Sequence, residues 1–195
     1  MDNGNNAEKE TKVRVGVSAC LIGQNVRWDG GHKRDEVVAD VLGRLFEWVP
    51  VCPEVEAGMG VPREAVGLYG GPERPLMLGN ESGTDWTEKM SLYSRRRIEE
   101  LSGLGLCGYI FKSKSPSCGL NAVPVFAGPG NGPMRLGRGM FADAFMKRYP
   151  SIPAEDESRL NDPEIRANFI ARVFDYRRFL QEGSCGLSGE IPRGA

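Results

Sequence analysis

Histidine and net charge are the scarcest features of this chain. A single histidine, His32, among 195 residues excludes zinc sites built on two or three imidazoles and forces any Ser-His-Asp arrangement through one residue. Lys+Arg 25 against Asp+Glu 26 leaves a net charge of -1, which removes the general electrostatic case for a nucleic-acid or membrane partner. No apolar run approaches the ~18 residues that a membrane-spanning helix needs. The stretch MDNGNNAEKETK has no apolar segment behind a basic start, so it does not read as a signal peptide, and the expected location is cytoplasmic. Cys-x-x-Cys pairs are missing too, which takes away the familiar zinc-ribbon spacing.

What the chain does have is sulfur, glycine and proline. Its five cysteines are an odd number at irregular spacing, which in a reducing compartment points to thiols, metal ligands or catalytic groups rather than disulfides. Gly 26 and Pro 13 make up about a fifth of the residues, against an average near 12%, so the fold should be rich in tight loops. With 40% hydrophobic residues and this length, one domain can bury a sizeable core.

Periodicity gives a rhythm of strands and helices. VRVGVS at 13–18 reads as a strand that stops at Ala19-Cys20 and enters the loop LIGQNVRWDGGHKRD. From Asp35, the recurrence of Val37, Val38, Val41, Leu42, Leu45 and Phe46 predicts an amphipathic helix. A second strand, Glu47 to Cys52, breaks at Pro53 and runs into a second glycine-rich loop; 73–79 suggests an extra strand. Asp85 as N-cap with Glu88 three residues on predicts a helix to about Ser102, with Met90, Leu92, Tyr93, Ile98 and Leu101 in apolar contacts. A third strand, Leu106 to Lys112, leads through SKSPSCGLNAVPV and a Gly/Pro-rich excursion to a short helix at 140–149. The last helix, Asp162 to about Gln181, opens on an Asp-Pro pair. The expected organisation is a loose tail at 1–12, one α/β domain over 13–182 and a loose tail at 183–195.

Strands alternating with helices predict a mostly parallel, Rossmann-like sheet, and such sheets bind ligands beyond the carboxyl ends of their strands. Cys20, Cys52 and Cys118 each follow a predicted strand, so the topology would gather them on one edge. Cys107 lies inside the apolar stretch LCGYIF and reads as core, whereas Cys185 in the tail reads as an exposed thiol. Three thiolates with scarce nitrogen ligands suit soft metals: zinc, copper(I) or an iron-sulfur cluster. A four-iron cluster on three cysteines would leave one iron open, and an open iron is a Lewis acid.

The segments VSACLIGQNVRWDGG, VCPEVEAGMGVPRE, GTDWTEKM, FKSKSPSCGL and ESRLNDPEIRANFIARVFDYRRF, in order over roughly 13–180, resemble the thiouracil desulfidase family, long catalogued as a domain of unknown function. The resemblance implies an oxygen-sensitive 4Fe-4S cluster held by Cys20, Cys52 and Cys118 with one open iron. It also implies desulfidation without net redox: the thiocarbonyl sulfur of a thiolated pyrimidine binds the open iron, water replaces it at carbon and sulfide leaves. Glu54 of CPE and Ser115 of SPSC match the family's proton-handling groups. The implied partner is therefore a small-molecule thione, with no nucleic acid and no membrane.

The chemistry asks for such groups independently, because water is a poor nucleophile and a carboxylate within hydrogen-bond reach is needed as base or acid. Glu54 is tethered two residues beyond Cys52; Glu56 and Asp29 are reserves. Ser115 and Ser117 flank Pro116, and either hydroxyl fits a relay or ordinary turn chemistry. Lys112 and Lys114 fit offsetting a cluster's charge, binding substrate oxygen, or simple solvation. Arg63 fits a pair with Glu54, a substrate contact or a surface ion pair. His32, between glycines and cations, is left outside the site. Asp85 reads as a cap before a substrate contact, and Arg95-Arg96-Arg97 as a solvated helix face. Two competing readings stay open. One is a non-enzymatic module in which Cys107 or Cys185 closes four-thiolate coordination of zinc or a cluster. The other is sulfur handling on tRNA, which would want a basic groove that a net charge of -1 does not supply.

Overall fold

The structure is a computed structural model that describes residues 12–71, 74–128 and 131–183. Most of the expected N-terminal tail and nearly all of the C-terminal one, Cys185 included, lie outside the described residues.

β1 (Val13–Ser18), β2 (Phe46–Val51), β5 (Tyr109–Phe111) and β8 (Ala154–Asp156) form an all-parallel sheet in the order β2-β1-β5-β8. β1 is central, and all but one of its residues are buried, as expected of a strand covered on both faces. Pro50 is tolerated inside β2 because β2 is an edge strand, where a missing N–H need not break a ladder. β2 lies on one side of β1 and β5 on the other, so the strand order reverses at β1. The loops leaving its carboxyl end therefore diverge and open a crevice.

The single sheet predicted from sequence is corrected to two. β3 (Val66–Tyr69), β4 (Leu76–Gly79), β6 (Val123–Phe126) and β7 (Pro133–Gly137) build a second, mixed sheet, β4-β3-β6-β7, in which only β3 and β6 run parallel. The expected strand at 73–79 is β4. β3, β6, β7 and β8 escaped the pattern because they are three to five residues long, and pairing partners, not local periodicity, define such short strands.

The helices follow their caps. α2 (Thr87–Ser102) begins two residues after Asp85, whose Oδ1 accepts the Thr87 N–H at 2.8 Å. Asp85 thus stops the chain ahead of the helix rather than forming the predicted capping box with Glu88. Met90, Tyr93, Ile98 and Leu101 are buried in α2, but Leu92 is half exposed. α3 (Met140–Arg148) matches its prediction, and α5 (Pro163–Gly183) is capped by Asp162 Oδ1, which accepts the N–H groups of Glu164 and Ile165. The predicted helix after Asp35 is instead a π-helical turn, Val37–Val41, followed by a 3-10 turn, Leu42–Arg44. The wide turn rotates the following residues, so Val38 and Leu42 are buried while Val41 and Leu45 are exposed. Two short helices complete the set: α1 (Pro53–Glu56) directly after β2 and α4 (Glu157–Leu160) directly after β8.

Side chains alternate between two cores across the parallel sheet. Tyr109 and Phe111 of β5 pack with Phe141 and Phe145 of α3 on one face; Val13, Val15, Val17 and Ile110 pack with Phe169 and Val173 of α5 on the other. The Tyr109 and Phe111 rings stack at 4.1 Å between centroids. Gly16 of β1 makes room for them, since a Cβ there would stand 2.3 Å from the Tyr109 ring.

Candidate functional site

A cavity of about 330 Å³ opens at the carboxyl ends of β1, β2 and β5. It is lined by Cys20, Cys52 and Cys118, together with Glu54, Arg63 and Ser115. Cys20 sits in a 3-10 turn, Ala19–Ile22, that follows β1 without a break. Cys52 caps α1, where Pro53 occupies the first helical position and needs no N–H partner. Cys118 lies in the loop after β5, drawn tight by the Gly119 N–H bonding the Ser115 carbonyl at 2.8 Å. A Cβ at Gly119 would stand 2.2 Å from Val123 Cγ2, so only glycine lets this loop close.

Burial governs the electrostatics of the thiols. It pushes Cys20 up to about 11, with the neighbouring Cys52 adding to the rise and Lys112 and Arg27 opposing it. Cys118 is raised further by burial, eased by a hydrogen bond from the Ser18 hydroxyl and raised again by Cys52, Glu54 and Cys20. Cys52 is also raised by burial, against the Val55 N–H. Cys20 and Cys118 therefore both feel the charge of Cys52, and a cation bound among them would favour the thiolate form that burial disfavours.

Glu54 is the hub of a buried polar network. Its Oε2 accepts Arg63 Nε at 3.2 Å and an Arg63 NH2 group at 2.6 Å, and its Oε1 accepts the Ser117 hydroxyl at 2.6 Å. The two side chains of the pair are 6% and 13% exposed, Arg63 first, so the surface-ion-pair reading of Arg63 does not hold. The same guanidinium donates to the Gly60 and Val26 carbonyls at 2.7 and 3.1 Å, tying the first and second cysteine loops together. Ser115 Oγ accepts the N–H groups of Ser117 and Cys118 and lies 3.0 Å from Ser117 Oγ. Because Ser117 gives its proton to Glu54, the Ser115 hydroxyl is left to donate to Ser117. A hydrogen-bond chain Ser115–Ser117–Glu54 results.

The remaining candidates separate by contact. Glu56 accepts the Cys52 N–H at 2.8 Å and the Tyr93 hydroxyl at 2.8 Å, and pairs with Arg97, which makes it a brace for α1. Asp29 bonds Arg27 and the Gly31 N–H within an exposed turn. Lys112 lines the cavity, but its ammonium is held by Glu157 Oε1 and by both oxygens of Ser113. Exposed His32 spends Nδ1 on the Arg34 N–H at 3.2 Å. Lys114 also lines the cavity and, with φ 59, has left-handed backbone. Trp28, 46% exposed, stands at the rim.

One contributor, Ser18, is not among the residues singled out from sequence. Ser18 accepts the Lys112 N–H at 2.9 Å, which directs its own hydroxyl proton toward Cys118. Its signal was a polar residue ending an apolar strand two positions before Cys20. Of the two candidate relay serines, Ser117 is the one that touches Glu54. Cys107 is buried just ahead of β5, lining a cleft with Lys12, Arg14 and Glu47 at the amino ends of the strands. It is thus at the opposite edge of the sheet and not placed to complete coordination with the other three.

The fold and site define a class: an α/β protein with a thiol-lined cavity and a buried carboxylate at the switch point of a parallel sheet. The family model for 2-thiouracil desulfurase matches residues 15–157, and the chain belongs to that family. A solved structure of a 4Fe-4S-dependent thiouracil desulfidase, TudS, is similar at a TM-score of 0.64 and 29% identity, covering 82% of this chain and 99% of that one. No curated protein matches.

The donor chemistry fits such a cluster. Three thiols share one cavity, no imidazole lines it, and the described cysteines are all free. Among the described residues, no group of three His, Cys, Asp or Glu side chains is drawn close enough to hold a single metal ion. The thiols share the cavity without converging on one point.

Proposed function

We propose that this chain is a desulfidase that removes sulfur from a thiolated pyrimidine or related small thione by water, without net oxidation or reduction. The observation that carries the reading is the shared cavity: Cys20, Cys52 and Cys118 line the same space as Glu54 and Ser115. Cys20, Cys52 and Cys118 are the residues that would hold a 4Fe-4S cluster. When bound on three ligands, that group supplies an open iron, a Lewis-acidic position for a soft sulfur atom.

The protein's own groups account for the protons. The overall change exchanges a C=S bond for a C=O bond, with one water consumed and one hydrogen sulfide released. Glu54 accepts a proton from the attacking water, and its ion pair with Arg63 holds the carboxylate in place at the cavity. Ser117 and Ser115 connect that carboxylate to the cavity, so the proton can return to the ring nitrogen or the departing sulfide along two hydroxyls. Ser18 and Lys112 temper the charge of the thiolates. The half-exposed Trp28 ring offers a flat apolar surface at the entrance.

The test is anaerobic reconstitution followed by iron and acid-labile sulfide analysis, then incubation with 2-thiouracil, 4-thiouracil and related thiones. Stoichiometric cluster with catalytic sulfide release is expected. A fully loaded protein that releases no sulfide from any of them overturns the reading.

A further inference from the structure

A second cleft, of about 680 Å³, lies between α2, α3 and β7, and its lining is strongly basic. Among the described residues, Arg74, Arg95, Arg135, Arg138 and Lys147 face it against one acid, Asp143. Asp143 is already engaged, 2.6 Å from Lys147 and 4.0 Å from Arg138. Among the described residues, Arg74, Arg95 and Arg135 have no ion-pair partner. A chain with a net charge of -1 therefore concentrates three uncompensated guanidinium groups in one concavity.

Two buried donors point to a ligand independently of charge. Ser94 of α2 lines the cleft, is 2% exposed, and its hydroxyl has no hydrogen-bond partner. A helical serine ordinarily bonds the carbonyl four residues back, so this hydroxyl stands apart. Arg135 donates from one NH2 group to the Gly71 carbonyl at 3.0 Å, while its Nε is buried and unpartnered. Buried donors left unmade are costly, and native proteins have few of them. Donors in excess of acceptors, with guanidinium groups among them, match a tetrahedral oxyanion, whose oxygens accept paired Arg N–H bonds.

We propose that this cleft binds a phosphate group, either free or as the terminal phosphate of a small ester. Its lining holds no aromatic side chain, so it lacks the stacking platforms by which single-stranded nucleic acids are held. The site is separate from the cysteine cavity, and its occupancy does not depend on the desulfidase reading.

Calorimetry on the full, cluster-loaded chain tests it, with inorganic phosphate, glycerol 3-phosphate and a single-stranded oligonucleotide as probes. Arg95→Glu and Arg74→Glu alter exposed residues and leave the fold intact; Arg96→Glu, on a side chain 71% exposed and paired with Glu100, controls for general charge. Binding of phosphate or its ester is expected, weakened by at least about tenfold in Arg95→Glu and Arg74→Glu, as loss of a charge-assisted contact implies, and unchanged in Arg96→Glu. Tighter binding of the ester than of phosphate identifies the ester as the ligand, and the reverse identifies the free ion. The proposal is overturned if neither probe binds at about 1 mM, if Arg96→Glu weakens binding equally, or if the oligonucleotide binds and phosphate does not displace it.

Discussion

Removing Arg63 should destabilise the protein far more than its loop position suggests. Arg63→Met keeps an apolar stem but deletes the guanidinium that meets Glu54 Oε2 at 2.6 Å with 6% and 13% of the two side chains exposed. Glu54 would then remain buried with only the Ser117 hydroxyl as donor. Breaking a buried pair by removing one partner costs about 3–5 kcal/mol. The small residual exposure of Glu54 argues for the lower end, about 3 kcal/mol. Loss of the bonds to the Gly60 and Val26 carbonyls acts in the same direction. Against a total stability of about 5–15 kcal/mol, that is a large fraction. Urea unfolding of the reduced, cluster-free protein measures it, with the m-value checked for constancy. In a double-mutant cycle, Glu54→Gln with Arg63→Met should cost at least about 1.5 kcal/mol less than the sum of the single changes, because the second substitution removes the orphaned charge left by the first. A loss below about 1 kcal/mol in Arg63→Met, or strict additivity, refutes the picture of a buried pair locking the two cysteine loops.

Glu54→Gln should retain iron and thione binding while sulfide release falls about 10²–10⁴-fold, since only proton transfer is removed; wild-type turnover would assign the base elsewhere. Cys118→Ser should lose most of the iron after anaerobic reconstitution and Cys107→Ser should lose none, because Cys107 lies at the other edge of the sheet; iron loss in the second variant counts against the three-ligand site. Asp156 supplies a pH test. Burial, then the charges of Glu157 and Glu155, push its carboxyl up to about 6, against the Leu120 N–H and Lys112. Its folded value lies above the unfolded one near 3.8, so the folded state holds the extra proton between about pH 4 and 6. The stability from that proton is complete below about pH 4 and is lost as pH rises through 6. A shift of about two units corresponds to about 3 kcal/mol. Asp156→Asn keeps an oxygen for the Leu120 N–H and should be up to that much more stable than wild type at pH 7, with the difference shrinking at pH 4.5. Parallel urea midpoints for the two proteins across this range would contradict the assignment.

The sequence by itself determined the elements whose signals are local. β1, β2 and α3 are legible from apolar runs, and α5 from its Asp-Pro start. The motifs around Cys20, Cys52 and Cys118 carried the family, which the model match over 15–157 then showed. Sequence also separated Cys107 from the other three, because it lies inside the apolar stretch LCGYIF, whereas each of the others stands where a predicted strand gives way to a polar loop. Tertiary structure decided everything that depends on partners distant in the chain. The mixed sheet exists only because strands of four or five residues find each other across up to about sixty positions. Ser117 rather than Ser115 touches Glu54 across 63 residues, and Arg63 is buried only because Val26, Glu54 and Gly60 close around it. The single histidine and the near-zero net charge behave in opposite ways. The histidine count is a limit on chemistry that no fold can change, since ligands cannot be created by folding. Net charge is a sum over the chain, and folding redistributes it: the same -1 holds a Glu54–Arg63 pair at one site and, among the described residues, three arginines without an ion-pair partner in a cleft at another.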